Sequence, residues 1–420
     1  MSNYKEDKKR LLSNFYSLSV LQGLNMILPL ITLPYLVKVL GIENFGLINF
    51  ALAIIMYFNI LVSFGFELSA TREISLHRDD LEKISEIFSA VMIIKTMMAL
   101  ISIFILSILI TSIEMFSEHI LLYYVTFGIV IGNVVFPSWF FQGMERMKYI
   151  TYINVVSKVI FTVLIFILVE ERSDYIYVPI LNSLAAIFAG LYSLWLIFKL
   201  FNIKIIIPTK KVIISQIKDS YLFFLSRVAN NGSRYLATTI IGIYFGNIIV
   251  GYYSMVEKLF YAFMTLGGIV SQTIYPYMSR TKNLFFFKKV FLMVIIFSII
   301  ILIPILYWHN FLLLTIFHIE NEILSNIFII MFSGSLFGIL NALLGYPILA
   351  AFGYIKYANN SLIYASIIYI IYIIIIMYIL KNIYWVSSSL LIYEFIGLCF
   401  RLYYIKKEKL FIKKDIKCKH

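Results

Sequence analysis

Apolar residues arrive in this chain in runs too long for a soluble core. Val91–Ile113, Ile120–Phe141, Val290–Trp308 and Leu362–Leu380 each approach the ~20 residues that a helix needs to cross the hydrocarbon of a bilayer. Between water and water such a run must satisfy its own backbone, which leaves a helix or a closed barrel. Short alternating strands of the barrel kind are absent, so the runs are read as helices. Composition agrees: 61% of the 420 residues are hydrophobic and only 14% charged, against about a quarter charged in a soluble domain. A water-facing surface could not be built from what remains.

The pattern predicts an all-α integral membrane protein of about twelve helices, near 14–37, 45–66, 88–110, 120–141, 150–169, 176–199, 220–243, 249–275, 287–307, 323–350, 358–380 and 383–404. An even number of spans puts both termini on one side. The turns on the opposite side keep only Lys38, Arg172 and Lys381 of the 35 lysines and arginines, and Lys95, Lys158, Arg227, Arg234, Lys258 and Arg401 fall within helices. The rest gather with the termini, so the positive-inside rule places both ends in the cytoplasm. The net charge of +13 is therefore a topology signal and not a nucleic-acid footprint. The N-terminus lacks a small-residue cleavage site, and the first helix is expected to be retained.

A repeat runs through the chain. Gly41–Gly46 recurs as Gly246–Gly251 at an offset of 205 residues, which also sets Gln22 against Arg227 and Asn25 against Asn230; Met147–Tyr149 recurs as Ile355–Tyr357 at an offset of 208. The expected organisation is two parallel six-helix repeats: a lobe over residues 1–200, a linker over 201–219, a second lobe over 220–405 and a basic tail over 406–420. The linker, with Lys204, Lys210, Lys211 and Lys218 among isoleucines, reads either as a plain connector or as an amphipathic segment on the lipid surface. Repeats of this kind are typical of transporters, with the substrate site at their interface.

Charges inside a bilayer need a partner, a cavity or a route to the surface. Arg227, Asn230, Asn231 and Arg234 are spaced i, i+3, i+4, i+7 and line one face of the seventh helix. The first helix carries Gln22, Asn25, Pro29 and Pro34. These residues, with Lys95, Lys158 and Lys258, are the candidate lining of a wet, cationic lumen; structural pairing between helices is the competing reading. Such a lumen suits an anion, and arginine suits phosphate through its two-pronged charge-assisted bonds. Glu67, Arg72, Glu145, Glu257 and Arg280 are candidates for gating or ion coupling, against an ordinary surface network. The five histidines and the two cysteines, Cys399 and Cys418, form no metal-ligand pattern or disulfide framework, and neither a metal nor a cofactor is expected. No glycine-rich loop followed by Lys-Ser or Lys-Thr offers an ATP site.

Several stretches resemble the Wzx-type O-antigen flippases of the polysaccharide transporter family, within the multidrug/oligosaccharidyl-lipid/polysaccharide superfamily. They are Leu33–Val37 with Gly41 and Phe45-Gly46, Phe64–Glu73, Pro137–Glu145, Gly251–Ser254 with Glu257-Lys258, and Tyr275-Pro276 with Ser279-Arg280. The resemblance implies a V of two six-helix lobes that opens alternately to each side of the bacterial inner membrane. It also implies export of an undecaprenyl-pyrophosphate-linked O-antigen repeat unit from the cytoplasmic to the periplasmic leaflet. Glu67, Arg72, Glu145, Glu257, Lys258 and Arg280 sit in the matching motifs. The implied partners are the lipid-linked oligosaccharide and the membrane, with a proton or sodium ion, O-antigen polymerase and a chain-length regulator as further candidates. Two other readings stay open: a polymerase or glycosyltransferase on the same lipid-linked sugar, and a multidrug antiporter of the same superfamily. The first needs positioned acids or a metal on the outer side, where only loop groups such as Glu170, Glu171, Asp174, Glu320 and Glu322 occur. The second conflicts with the basic intramembrane set, which repels cationic drugs.

Overall fold

The computed structural model describes the backbone of residues 2–411 and the side chains of residues 23, 24, 27–228 and 231–411; among them the regular structure is entirely helical. In chain order the helices are α1 (Ser2–Ser63), α2 (Phe66–Leu76), α3 (Leu81–Ser112), α4 (Glu114–Ser117), α5 (Ile120–Val135), α6 (Ser138–Gly143), α7 (Met147–Leu168), α8 (Tyr177–Phe201), α9 (Lys210–Phe245), α10 (Asn247–Thr281), α11 (Leu284–Tyr307), α12 (His309–Phe317), α13 (Glu322–Ser333), α14 (Ser335–Leu344), α15 (Ile355–Ile379) and α16 (Ile383–Lys407). Nine helical stretches among the described residues are long and apolar enough to cross a membrane, the first being Ile27–Leu76. That stretch is divided at Gly41, and α9 and α10 are long enough to span, at 36 and 35 residues, although more polar. Counted this way the described residues hold the expected twelve spans, and the chain is a multi-pass membrane protein.

Short polar side chains start several of these helices. Asp80 accepts from the Lys83 N–H at 3.0 Å, Asn283 from Phe286 at 2.9 Å and Asn382 from Tyr384 at 2.8 Å. Each satisfies one of the backbone donors that a first turn leaves over.

The chain divides into two compact units, Met1–Tyr235 and Leu236–His420. This division falls inside α9, sixteen residues beyond the 219/220 junction expected between linker and second lobe. The first half of α9 packs on unit 1, where Phe224 stacks on Phe64 with centroids 4.8 Å apart and Ser220 Oγ lies 2.6 Å from Ser69 Oγ. Gly65 is pressed against this helix: a Cβ there would stand 2.8 Å from Phe223 Cβ. The expected linker is also shorter and better anchored than its composition suggests. Residues 202–209 are not helical, Ile203 is buried, and the Lys204 and Ile206 N–H groups donate to Ser85 Oγ (3.2 Å) and Ser89 Oγ (3.0 Å) on α3.

The repeat seen in the sequence is a repeat of backbone geometry. Gly41 adopts φ 77, ψ 163 where α1 breaks, and Gly246, 205 residues on, adopts φ 82, ψ 176 between α9 and α10. A side chain is strained in this region, so glycine marks both breaks. Before α7, Glu145 has φ 54 and the Arg146 N–H donates to Phe141 O at 2.8 Å; before α15, Gly353 has φ 94 and the Tyr354 N–H donates to Leu349 O at 2.7 Å. Every member of the second set lies 208 residues after its counterpart.

Unit 1 is tightened by small residues. A Cβ on Gly132 would lie 2.4 Å from Ala186 Cβ, and one on Gly190 2.3 Å from Val135 Cγ2, so α5 and α8 touch nearly backbone to backbone. One end of the unit holds an aromatic core in which Phe66, Phe88, Trp139, Phe140 and Phe141 are fully buried. The Pro137–Glu145 stretch thus acts largely as packing.

Candidate functional site

The site grows from the turn between α1 and α2. Phe64 (φ 41) and Gly65 (φ 79) are both left-handed there, which interrupts the helix for two residues and sets Glu67 in the first turn of α2. A carboxylate at that position faces the positive end of the helix dipole. It forms an ion pair with the Arg227 guanidinium of α9, and both side chains are about one-third exposed. A pair of that exposure is worth little to stability, so it can be exchanged at low cost.

Beneath it lies a buried cation. Lys95 of α3 is 3% exposed, and its ammonium donates to the Asn133 backbone oxygen at 2.6 Å and to Asn133 Oδ1 at 2.9 Å. Asn133 Nδ2 in turn donates to Ser63 Oγ at 3.3 Å, at the end of α1 and four residues before Glu67. Glu67 is also near enough to Lys95 for the two charges to attract. Above this chain of groups is a cavity of about 100 Å³, lined by Asn59 and Ser63 of α1, Glu67, Asn133, and Arg227, Asn231 and Tyr235 of α9. Asn59 Oδ1 is buried with no hydrogen-bond partner among the described residues. The volume admits about three waters, or one phosphate-sized group. Two cations and one carboxylate leave the surroundings net positive, in a segment of chain where charge is costly.

Not every residue singled out by spacing comes to this cavity. Arg227 and Asn231 line it, and Tyr235 lies one turn beyond Asn231, whereas Arg234 is exposed and does not line it. The side chains of Gln22, Asn25 and Asn230, and residue Cys418, lie outside the described residues. Lys158 is exposed on α7; Lys258 is half-buried on α10 beside Glu257. Arg72 is exposed midway along α2 and Arg280 is exposed at the end of α10, and Glu145 of the α6–α7 turn pairs at 3.0 Å with Arg78 of the α2–α3 turn. Among the described residues no group of three or more His, Cys, Asp or Glu could hold a metal ion.

Unit 2 contains a second buried network that spacing alone did not bring forward. Arg401 of α16 is 5% exposed; its Nε donates to Ser361 Oγ at 3.1 Å and its Nη1 donates to the Asn341 backbone oxygen. Asn341 Nδ2 donates to the backbone oxygen of Glu394 at 2.7 Å and to its carboxylate at 2.8 Å. Arg401 closes on the junction where α14 widens into a π-helical turn over Gly345–Ala350, and a Cβ on Gly345 would come within 2.9 Å of its Nη1. Glu394 and Arg401 are seven residues apart, two turns on one helix face, and that spacing was the available signal.

The family model for the polysaccharide biosynthesis protein family matches residues 11–282. The chain belongs to that family. The match contains Glu67, Lys95, Asn133 and Arg227, and ends before the Arg401 network. Curated relatives agree. A protein of Escherichia coli (strain K12) named "Putative O-antigen transporter" is 30% identical over 275 residues, 66% of this chain and 66% of that protein. One of the same name from Shigella dysenteriae is 28% identical over 272 residues, 64% of this chain and 68% of that one. The chain thus aligns with just under two thirds of the length of the first. Among solved structures, the lipid II flippase MurJ in an inward closed conformation aligns with a TM-score of 0.74 at 16% identity, covering 94% of this family member and 89% of MurJ. An inward-facing multidrug resistance MATE transporter of the MOP superfamily aligns at 0.68 and 14%, covering 96% and 99%. At such identities the likeness establishes the fold, and the fold is that of these transporters.

Proposed function

We propose that this protein moves an undecaprenyl-pyrophosphate-linked O-antigen repeat unit from the cytoplasmic to the periplasmic leaflet of the inner membrane, with both termini in the cytoplasm. The relatives' names supply the substrate class, and the distribution of lysine and arginine supplies the orientation. The observation that carries the reading is the Glu67–Arg227 pair over a polar, net positive cavity in membrane-spanning helices. A pyrophosphate oxygen competes with the Glu67 carboxylate for the same guanidinium, and phosphate is the better geometric match to its fork. Binding would release Glu67 from α9, giving substrate a differential hold on two arrangements of α2 and α9.

A hydrogen bond to a charged group contributes about 1.5–3 kcal/mol. Driving a two-state equilibrium from one side to the other takes about 5.5 kcal/mol. The anion exchange therefore supplies part of the bias, and contacts to sugars and lipid tail supply the remainder. Glu67, once freed, is the acid through which a proton or sodium gradient would act.

Complementation tests this reading. In a flippase-null strain with the matching O-antigen pathway, the wild-type chain restores surface polysaccharide, Arg227→Lys restores part of it, and Arg227→Ala restores little at equal membrane abundance. If the wild type fails while lipid-linked units accumulate unpolymerised in the periplasm, the transport reading is wrong and an enzyme of the same pathway is indicated.

A further inference from the structure

On the outside of unit 1, α7 and α8 frame an apolar groove of about 410 Å³, lined by Tyr152, Val156, Ile160 and Phe161 of α7 and by Phe188 and Tyr192 of α8. Tyr152 to Phe161 covers nine residues, or about 14 Å along a helix. That is the depth of a single leaflet, half of the ~30 Å hydrocarbon core. The groove does not simply end in solvent. Along α8 the face continues from Tyr192 to Trp195, stacked at 5.5 Å, and from Trp195 to Lys199, whose Nζ lies 4.5 Å from the indole centroid. On α7 the same end carries Tyr149 with the Lys148 Nζ 5.1 Å from its ring. The two ends are neighbours, with Tyr149 and Phe201 centroids 6.5 Å apart. Lys148 and Lys199 are both exposed.

Read outward along the groove, the order is aliphatic and aromatic floor, aromatic belt, then two cations. This is the order of chain, interface and headgroup in a lipid with a negatively charged head. We infer that the α7–α8 groove is a binding site for one anionic phospholipid of the cytoplasmic leaflet, its acyl chain in the groove and its phosphate between Lys148 and Lys199. A zwitterionic lipid would fill the groove equally well, but gains less from the two lysines. A polyprenyl tail is much longer than one leaflet and would leave most of its length outside. The site is separate from the Glu67–Arg227 cavity and does not depend on what that cavity binds.

Trp195 reports on the groove directly. Of the four tryptophans, Trp139 is 1% exposed, so Trp308→Phe with Trp385→Phe leaves Trp195 as the lipid-accessible fluorophore. In mixed vesicles, brominated phosphatidylglycerol should reach half-maximal quenching at about a five-fold lower mole fraction than brominated phosphatidylcholine, the factor expected for about one lysine near a phosphate. Lys199→Gln combined with Lys148→Gln should bring the two lipids to the same value, and Lys199→Arg should keep the preference. Equal quenching by both lipids in the parent protein identifies ordinary solvating lipid and overturns the site. Persistence of the preference in the double variant overturns the headgroup assignment. Displacement of the brominated lipid by undecaprenyl phosphate at a lower mole fraction gives the groove to a substrate tail and overturns the choice of occupant.

Discussion

Two side chains in unit 1 differ sharply in what their removal should cost, although they touch one another. Lys95→Met deletes a buried cation and leaves the Asn133 oxygens short of a donor, at about 1–3 kcal/mol. Asn133→Ala takes one acceptor from a buried ammonium that stays behind, and costs more, about 3–5 kcal/mol. Thermal unfolding of the two variants in detergent should give the larger drop for Asn133→Ala; the reverse order would mean that Lys95 is not buried as a cation. At the exchangeable pair, Glu67→Gln keeps Arg227 in place and removes its competitor. Substrate retention should rise while surface polysaccharide falls severalfold in the complementation assay, because the return step loses its partner. How much of this site could be read from sequence follows from charge. Arg227 and Glu67 stood out as charges in apolar or motif contexts, and the i, i+4 spacing reached Asn231. Asn59, Ser63 and Asn133 did not stand out, because uncharged polar residues are common in spanning helices and only packing reveals which ones share a cavity. Arg234 sits on the predicted stripe, about 20° round α9 from Arg227, yet it is exposed and does not line the cavity, because the walls from α1, α2 and α5 meet α9 along Arg227, Asn231 and Tyr235.

Among the elements, the glycine pairs make the repeat testable. Gly246 has open space within 4 Å, so Gly246→Ala meets no steric obstacle and its cost reports backbone conformation alone, about 1–3 kcal/mol for a side chain forced to φ near 80. Gly41→Ala should cost a similar amount in a thermal-shift measurement. Gly132→Leu is a different case, because its Cβ meets Ala186 at 2.4 Å; it should separate α5 from α8 and lower membrane abundance severely, whereas Gly268→Ala, with no neighbour within 4 Å and no positive φ, should not. The sequence announced the breaks at Gly41 and Gly246 because the same spacing of glycines appears twice. It did not announce the extended strap at 202–209, whose isoleucines and lysines are equally compatible with a helix until Ser85 and Ser89 are seen to take its backbone donors. The division of the units inside α9 was hidden for a related reason: Phe223 and Phe224 look like any lipid-facing pair until Gly65 is found beneath them.

For the molecule as a whole, the polarised distribution of basic residues predicts a topology with both termini in the cytoplasm, and single cysteines introduced into a variant without Cys399 and Cys418 read it out. A cysteine replacing Lys381 should react with an impermeant maleimide from outside intact cells, and one replacing Lys204 only after permeabilisation. The central claim is transport, and it is tested most directly with purified protein in liposomes carrying a labelled lipid-linked O-antigen repeat unit on one leaflet. Under an imposed ion gradient, an enzyme added outside that cleaves the sugar should reach the whole labelled pool with wild-type protein. With Arg227→Ala, and with empty liposomes, it should reach only the fraction already exposed. Equal accessibility in all three would contradict the account.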